Sequence, residues 1–503
     1  MNKKNIKNFI VGLSSQIIIL ILGFIVPRII LTHYGSDTNG LMNTITQIFT
    51  YMALLEAGIS QASKNALYKY ITSDNRDEIS VVMSASRRYY RKISYIYFVA
   101  VIVLAIIVPF ILKTEVDYWT IFVFVLFEGL TSVVAFYFIN TWNCLLLASG
   151  KSYITNSISL LNKVLCYGVR IVLALYGINI AFIQVGYFVI SLIQLVIYTL
   201  YMRKHYSWID YKAAPKDYKL ADRNSYVLTE IAWTIFSSTD LIILSIFVST
   251  SMSSVYSTYN MIFVSLNGLL NSVYWALNYN LGQTYHTDIE KYKKLHDKYN
   301  SIFVGGMTAM MCVAYWLAIP FVTLYTDGIA DINYIYRWVP LFFCLIQMLS
   351  WIRYVSGNLT GIAGYAKPTS FISVTEAMIN IILSIVLVQF ISIIGVLIAT
   401  VIALPIKAIY CNYVADKKIM KRKPWRTLAI IGINYLIFGV TVLIKELVAD
   451  IPIVNYWQFI LVGLGLSVGY FIVVFFFNVL VNRDMLTVFK KLRRKKSSSG
   501  DVN

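Results

Sequence analysis

Between Glu376 and Lys407 the chain reads AMINIILSIVLVQFISIIGVLIATVIALPI (residues 377–406), thirty residues without a charged side chain. Spans of about 20 apolar residues cross a hydrocarbon core roughly 30 Å thick. This stretch and its flanks therefore hold two crossings, near 370–390 and 393–415, parted only around Ser392. Taken as one crossing it gives a chain of thirteen spans; taken as two, about fourteen. Working outward, further apolar runs lie near 9–31, 41–63, 93–112, 118–147, 157–176, 178–200, 227–248, 255–281, 300–325, 334–361, 427–448 and 457–481. Spans 4 and 10 of that series are long enough to tilt. The expected fold class is an all-α integral membrane protein.

Composition agrees. Hydrophobic residues make up 58% of the 503 positions, charged residues 13%, and mean hydropathy is +0.68. A soluble chain of this length is about one quarter charged. The five cysteines (Cys144, Cys166, Cys312, Cys344, Cys411) sit singly in apolar runs with no CxxC, and the four histidines are scattered. Neither a disulfide framework nor a zinc site is expected. The N-terminus, Lys3, Lys4 and Lys7 before apolar Phe9 to Leu31, has the outline of a signal peptide. Its apolar stretch is too long and no small-residue cleavage site follows, so it reads as a retained first span.

The net charge of +19 is compatible with nucleic acid only if the basic residues gather on one face, and they do not. The N-terminus and every second loop hold 35 of the 43 lysines and arginines, in the segments Lys3–Lys7, Lys64–Lys92, Lys151, Arg203–Arg223, Lys291–Lys298, Lys367, Lys417–Arg426 and Arg483–Lys496. The opposite loops hold four, Arg28, Lys113, Arg337 and Lys445. That alternation is the positive-inside pattern. It puts both termini of a multi-pass inner-membrane protein in the cytoplasm and argues against a nucleic-acid partner. The basic tail Lys490–Lys496 is expected to lie against anionic lipid. Thr284–Asn300, with Asp288, Glu290, Lys291, Lys293 and Lys294, reads as a solvated surface helix between spans 8 and 9.

A shift of 214 residues lays Gly40 to Ala62 over Ser254 to Ala276, and Asn143 to Lys151 near Asn358 to Tyr365. One offset serving both matches points to duplication. The expected organisation is a six-helix lobe over 1–202, a cytoplasmic linker 203–226, a second six-helix lobe over 227–416, helices 13–14 over 417–482 and a basic cytoplasmic tail 483–503. Six spans per lobe make the lobes parallel, and paired lobes with a midplane site are a transporter architecture.

Ionisable residues inside spans cost roughly 2.5–3.5 kcal/mol each, so they need a partner or a watery cavity. They are Arg28, Glu56, Lys64, Glu128, Lys163, Arg170, Glu230, Asp240, Arg353, Glu376 and Lys407. Mixed signs permit internal pairing, and long lysines reach the interface. In span 8, Asn260, Asn267, Asn271, Tyr274 and Asn278 recur at helical spacing on one face. Their span 2 counterparts are Thr46, Ala53, Ala57, Ser60 and Lys64. Such stripes either glue helices together or face a shared aqueous cavity, where Tyr256, Tyr259, Trp275 and Tyr279 would suit sugar rings. Span 7 adds Glu230, Ser237 and Asp240, and span 1 adds Gln16, Gly23, Pro27 and Arg28. No phosphate-cradling glycine motif is present, so ATP is not the direct energy source. No catalytic constellation is present either, and the loops are too short for a catalytic domain, so the chain does not read as an enzyme.

Gly40-Leu41-Met42-Asn43 followed by Tyr51-Met52-Ala53-Leu54-Leu55-Glu56-Ala57-Gly58-Ile59-Ser60-Gln61-Ala62 resembles the second helix of polysaccharide-repeat (Wzx-type) flippases. These belong to the multidrug/oligosaccharidyl-lipid/polysaccharide exporter superfamily. Ser238-Thr239-Asp240-Leu241-Ile242-Ile243 followed by Val255-Tyr256-Ser257 resembles that family's seventh helix and the entry to its eighth, with Leu241 where arginine is frequent. The resemblance implies two pseudo-symmetric six-helix lobes plus two C-terminal helices, and a cavity lined by helices 1, 2, 7 and 8. It implies as cargo an undecaprenyl-diphosphate-linked oligosaccharide of O-antigen, capsule or exopolysaccharide synthesis, moved by alternating access. Arg28, Lys64, Arg170 and Arg353 are then candidates for the diphosphate, and Asn260, Asn267, Asn271, Tyr274 and Asn278 for the sugars. Glu56, Glu230 and Asp240 are candidates for coupling to H+ or Na+, and no other cofactor or metal is called for. This chain departs from a strongly cationic cavity: span 8 is neutral, and three acids join the set. Polysaccharide polymerase machinery is an implied partner. The rival readings are a cation-coupled multidrug exporter of the same superfamily and, from another class, a membrane polymerase or ligase of the same pathway.

Overall fold

The computed structural model describes residues 3–56, 59–213, 223–448 and 452–485. The basic tail beyond Met485 and the middle of the 203–226 linker lie outside them. Helix accounts for 87% of the structure, and no strand occurs among the described residues. Two compact units form, one from Met1–Ser254 with Gly328–Ile332, the other from Val255–Asp327 with Asn333–Asn503.

The first unit contains α1 (Lys3–Met52), α2 (Ile59–Thr72), α3 (Arg76–Ile111), α4 (Tyr118–Val134), α5 (Asn140–Ala148), α6 (Ser152–Leu175), α7 (Ile180–His205) and α8 (Arg223–Phe247), and takes in the first residues of α9 (Thr250–Thr287). The second contains the rest of α9, then α10 (Ile289–Tyr325), α11 (Val339–Trp351), α12 (Tyr354–Ile362), α13 (Ala366–Tyr413), α14 (Trp425–Leu447) and α15 (Tyr456–Val481). Polar residues start these helices where the sequence leaves the apolar runs. The side chains of Asn75, Asp117, Asn179, Asp288 and Asn455 accept from backbone N–H groups of α3, α4, α7, α10 and α15. Those N–H groups have no partner within the helix.

Ten of the described helical stretches are long and apolar enough to cross a membrane. Two of the ten carry two expected spans each. α1 breaks at Gly35, whose φ of +80° is open to glycine without strain. α13 breaks at Ile391 and Ser392 and folds back on itself, since Asn380 Nδ2 donates to Thr400 Oγ1 at 2.9 Å. The Ser392 break thus parts two helices, as the count of about fourteen requires. Large apolar side chains face outward along many helices, for instance Phe110 (76% exposed), Phe182 (68%) and Leu461 (67%). Such surface is stable in hydrocarbon and not in water. This is an all-α membrane protein.

α8, which the sequence groups with the second lobe, packs on α1 in the first unit. Thr44 and Ser245 share a hydroxyl contact of 2.5 Å that continues to Ser253 at 2.7 Å, and Asn39 Nδ2 donates to Ser254 Oγ at 2.7 Å. The helices approach so closely that a Cβ on Gly40 would sit 1.7 Å from the Thr250 carbonyl oxygen. In the second unit, Thr284–Asn300 is not solvated throughout, contrary to the sequence reading. Tyr292, His296, Asp297 and Asn300 are buried along one side of α10. Arg422 donates to Asp297 at 2.5 and 2.8 Å and to Asp416 at 2.7 Å, so the charges answer one another and water is not needed.

Candidate functional site

The second apolar run is not one helix. α1 stops at Met52, Ala53–Glu56 form a 3₁₀ turn, and α2 starts at Ile59. Thr46, Ala53, Ser60 and Lys64 therefore do not share a continuous face, because the tighter turn resets the register; Ala57 lies outside the described residues. The break places Glu56 where two helices can supply donors. Tyr90 OH donates to Glu56 Oε1 and Asn140 Nδ2 to Oε2, both at 2.9 Å. Asn140 directly follows a π-helical turn, Ala135–Ile139, that joins α4 to α5. Single π-turns inside α-helices are frequent at functional sites. Cys144 Sγ lies 3.5 Å from Tyr90 OH and 3.6 Å from Ser60 Oγ. One carboxylate thus sits where two irregular helices meet.

Around it, Lys64 is half-buried on α2 and interacts electrostatically with Cys144. Arg28 is half-buried on α1, one residue past Pro27. Asp240 is buried on α8, next to the Thr239 hydroxyl that meets Tyr51 OH. The side chain of Glu230 lies outside the described residues, as do those of Ser237, Trp275, Asn278 and Tyr279.

Arg170 on α6 is held by its neighbours. Its Nη2 donates to Gln184 Oε1 at 2.7 Å, lies 3.5 Å from Glu128 Oε2, and the guanidinium stacks 4.0 Å from the Tyr187 ring centroid. Gln184, fully buried, relays to Glu128 at 2.6 Å. In the second unit Arg353 is buried and pairs with Glu376, and Lys407 interacts with both. Asn267 Nδ2 donates to Gln347 Oε1 at 2.9 Å and its Oδ1 accepts from Trp351 Nε1 at 3.3 Å. Tyr274 is buried against Trp351, Phe303 and Tyr354. Asn267 thus joins α9 to α11, and Tyr274 joins it to α10, α11 and α12. Asn271, between them, has a buried Oδ1 with no hydrogen-bond partner among the described residues, and Asn260 is half-buried. Tyr90, Asn140 and Gln184 were not singled out from the sequence, where nothing marks them.

No protein-family model matches the chain, and no curated protein matches it. Solved structures do. The lipid II flippase MurJ in an inward closed conformation superposes with a TM-score of 0.65 at 15% identity, over 96% of this chain and 100% of that one. The chain has the fold of these membrane transporters. An inward-facing MATE-family multidrug resistance transporter of the MOP superfamily gives a TM-score of 0.62 at 14% identity, over 87% of this chain and 99% of the other. An outward-facing MATE-family transporter gives 0.57 at 12% identity, over 83% and 95%. At such identities the likeness is one of fold. Glu128 pairs with Arg170 and Glu376 with Arg353, and Glu56 accepts from Tyr90 and Asn140.

Proposed function

We propose that the chain is a flippase that carries an undecaprenyl-diphosphate-linked oligosaccharide repeat unit across the bacterial cytoplasmic membrane for surface polysaccharide assembly. It works by alternating access, with both termini in the cytoplasm. The observation that carries this reading is an apolar recess of ≈ 250 Å³ between α10 and α15, walled by Ile302, Gly305, Gly306, Phe471 and Val474. A recess of that kind suits an isoprenoid chain, and a flippase needs a place for its cargo's lipid. The superposition on a flippase over 96% of this chain, against 87% for the MATE transporter, supports the same reading.

Arg28 and Lys64 hold the diphosphate in this scheme, and Asn260, Asn271 and Asn278 meet the sugars. Arg170 and Arg353, each already answered by a carboxylate, brace their helices and lend the cargo only residual charge. Glu56 is the coupling acid, and Asp240 and Glu230 assist it. A charge moved through the membrane potential gains about 2.3 kcal/mol per 100 mV, which a coupling acid would tap. The 214-residue offset reflects duplication of the lobes 1–202 and 227–416.

The test is the fate of lipid-linked oligosaccharide on depletion of the protein. Repeat units should accumulate facing the cytoplasm and surface polymer should disappear, and neither Arg28→Ala nor Asp240→Asn should restore it. Repeat units that reach the outer leaflet unpolymerised would sink the flippase reading and raise a polymerase role. Normal polymer with new sensitivity to cationic drugs would identify a multidrug exporter.

A further inference from the structure

Apart from the transport residues, the first unit contains a second recess, of ≈ 400 Å³, at the end that bears its basic loops. It is lined by Arg87 of α3, Trp142 of α5, Thr199 and Arg203 of α7, and Tyr206 and Tyr211 of the chain that follows. Phe138 and Leu195 form an apolar wall, and Phe138 is exposed on the outer surface of the unit. The volume falls within the roughly 300–1,000 Å³ range of small-molecule sites.

The recess is built. Trp142 Nε1 donates to Tyr211 OH at 2.8 Å, and Ser84 Oγ donates to the Tyr211 carbonyl at 2.5 Å, which fixes that ring. The Arg87 guanidinium lies 4.4 Å from the Tyr211 ring centroid. One turn on, Arg91 lies 4.7 Å from the Tyr137 centroid, with its Nε buried and without a hydrogen-bond partner. Lys151 Nζ donates to Tyr206 OH at 2.9 Å. Among the described residues, none of Arg87, Arg91, Arg203 and Lys151 has a carboxylate within ion-pairing distance. Elsewhere in the same unit Arg170 is answered by Glu128.

Stacking on an aromatic face holds a guanidinium in place and leaves its in-plane N–H groups for an anion. Planar forks of that kind match a phosphate's oxygens two at a time. The tryptophan, tyrosines and apolar wall exclude a fully hydrated ion and favour an amphiphile. Basic pockets between membrane helices are known to receive lipid head groups. We infer that this recess binds the phosphate of an anionic amphiphile, a phospholipid head group, with Arg87 and Arg203 as its ligands. Occupancy adds a further tie between α3 and α7 beside the bonds that already hold Tyr211 to α3 and α5. The site is the same whichever cargo the protein carries.

The test uses the full-length protein in detergent, with binding read from the rise in melting temperature on adding phosphatidylglycerol, diacylglycerol or glycerol 1-phosphate. Phosphatidylglycerol should stabilise it and diacylglycerol should not. Arg87→Gln and Arg203→Gln should each weaken phosphatidylglycerol roughly fivefold, and together about 25-fold, on the scale of one basic residue near a lipid surface. Lys69→Gln, an exposed lysine at the end of α2, should change nothing. Glycerol 1-phosphate acting as well as the lipid would keep the phosphate site but make its occupant a soluble phosphate. Equal stabilisation by diacylglycerol, an unchanged double variant, or an equal loss with Lys69→Gln would overturn the inference. Thr199→Trp fills the recess and keeps both arginines. It should abolish the lipid effect, and full binding by that variant would place the charge on the open surface.

Discussion

Glu376 should matter more to stability than the arginine it pairs with. Arg353 and Glu376 side chains are 7% and 4% exposed, and Lys407 interacts electrostatically with both. Two cations therefore share one carboxylate inside the second unit. Glu376→Gln removes the carboxylate that Arg353 pairs with and that Lys407 interacts with, and removing one partner of a buried pair costs about 3–5 kcal/mol. Arg353→Gln leaves Glu376 facing Lys407, so the charge balance survives. Its loss should be closer to that of one charge-assisted hydrogen bond, about 1.5–3 kcal/mol. The expected gap of about 2 kcal/mol is a near 30-fold difference in the folding equilibrium. Denaturant titration of the purified protein in detergent, followed by tryptophan fluorescence, reads both losses. The double variant should lose less than the sum of the two, because the pair is removed as a unit. Equal losses in the two single variants, or strict additivity in the double, would refute the shared-carboxylate account.

Four other outcomes follow from the geometry. Gly40→Ala drives a Cβ into the Thr250 carbonyl and should cost stability by about 1–3 kcal/mol or more as overpacking, while Gly23→Ala, with nothing within 4 Å, should be tolerated or mildly stabilising; thermal melts separate the two. Glu56→Gln keeps a side chain that still accepts from Tyr90 or Asn140, so melting should shift little while transport loses its dependence on the coupling-ion gradient, tested with H+ and Na+ in turn; an unchanged dependence on both removes Glu56 from coupling. Asn271→Leu deletes a buried oxygen that has no hydrogen-bond partner, so the fold should be unharmed, and a fall in transport with unchanged melting would place that residue at the cargo. Because all five native cysteines are buried, a membrane-impermeant maleimide on intact cells should label Glu115→Cys and spare Ser73→Cys; the opposite pattern would invert the topology.

The apolar runs were legible because each is long and nearly free of charge, which only lipid or a deep core accommodates. The turn at Ser392 was legible too, though only as a polar residue between apolar runs, with no proline or charge to mark it. The shape of the second span was not. A 3₁₀ turn at Ala53–Glu56 obeys no composition rule, and it takes Ser60 and Lys64 off the face that a continuous helix would give. Burial of His296 and Asp297 was equally hidden, since their partner Arg422 lies about 125 residues along the chain in a segment that reads as a basic loop. Charge near a span end looks solvated until the residue that answers it is known. At the candidate site the sequence supplied the acids and the asparagine stripe. It could not show that Glu128 and Glu376 answer arginines, because pairing depends on which helices touch.

The fold-back in α13 also bears on how the protein is made. Only Ile391 and Ser392 leave helical geometry there, and the residues on either side are apolar. Gly395 meets the Leu387 backbone so closely that a Cβ would fall 2.5 Å from it, so the two arms touch from the first turn. With no polar loop to hold one arm outside while the other waits, both arms enter the bilayer as a single hairpin, each satisfying its own backbone groups as it goes. During synthesis the first arm must therefore linger beside the insertion channel until the second has emerged. A tag spliced after Ser392 would stall biogenesis, whereas one spliced into the exposed turn at Ser73–Asn75 would pass unnoticed.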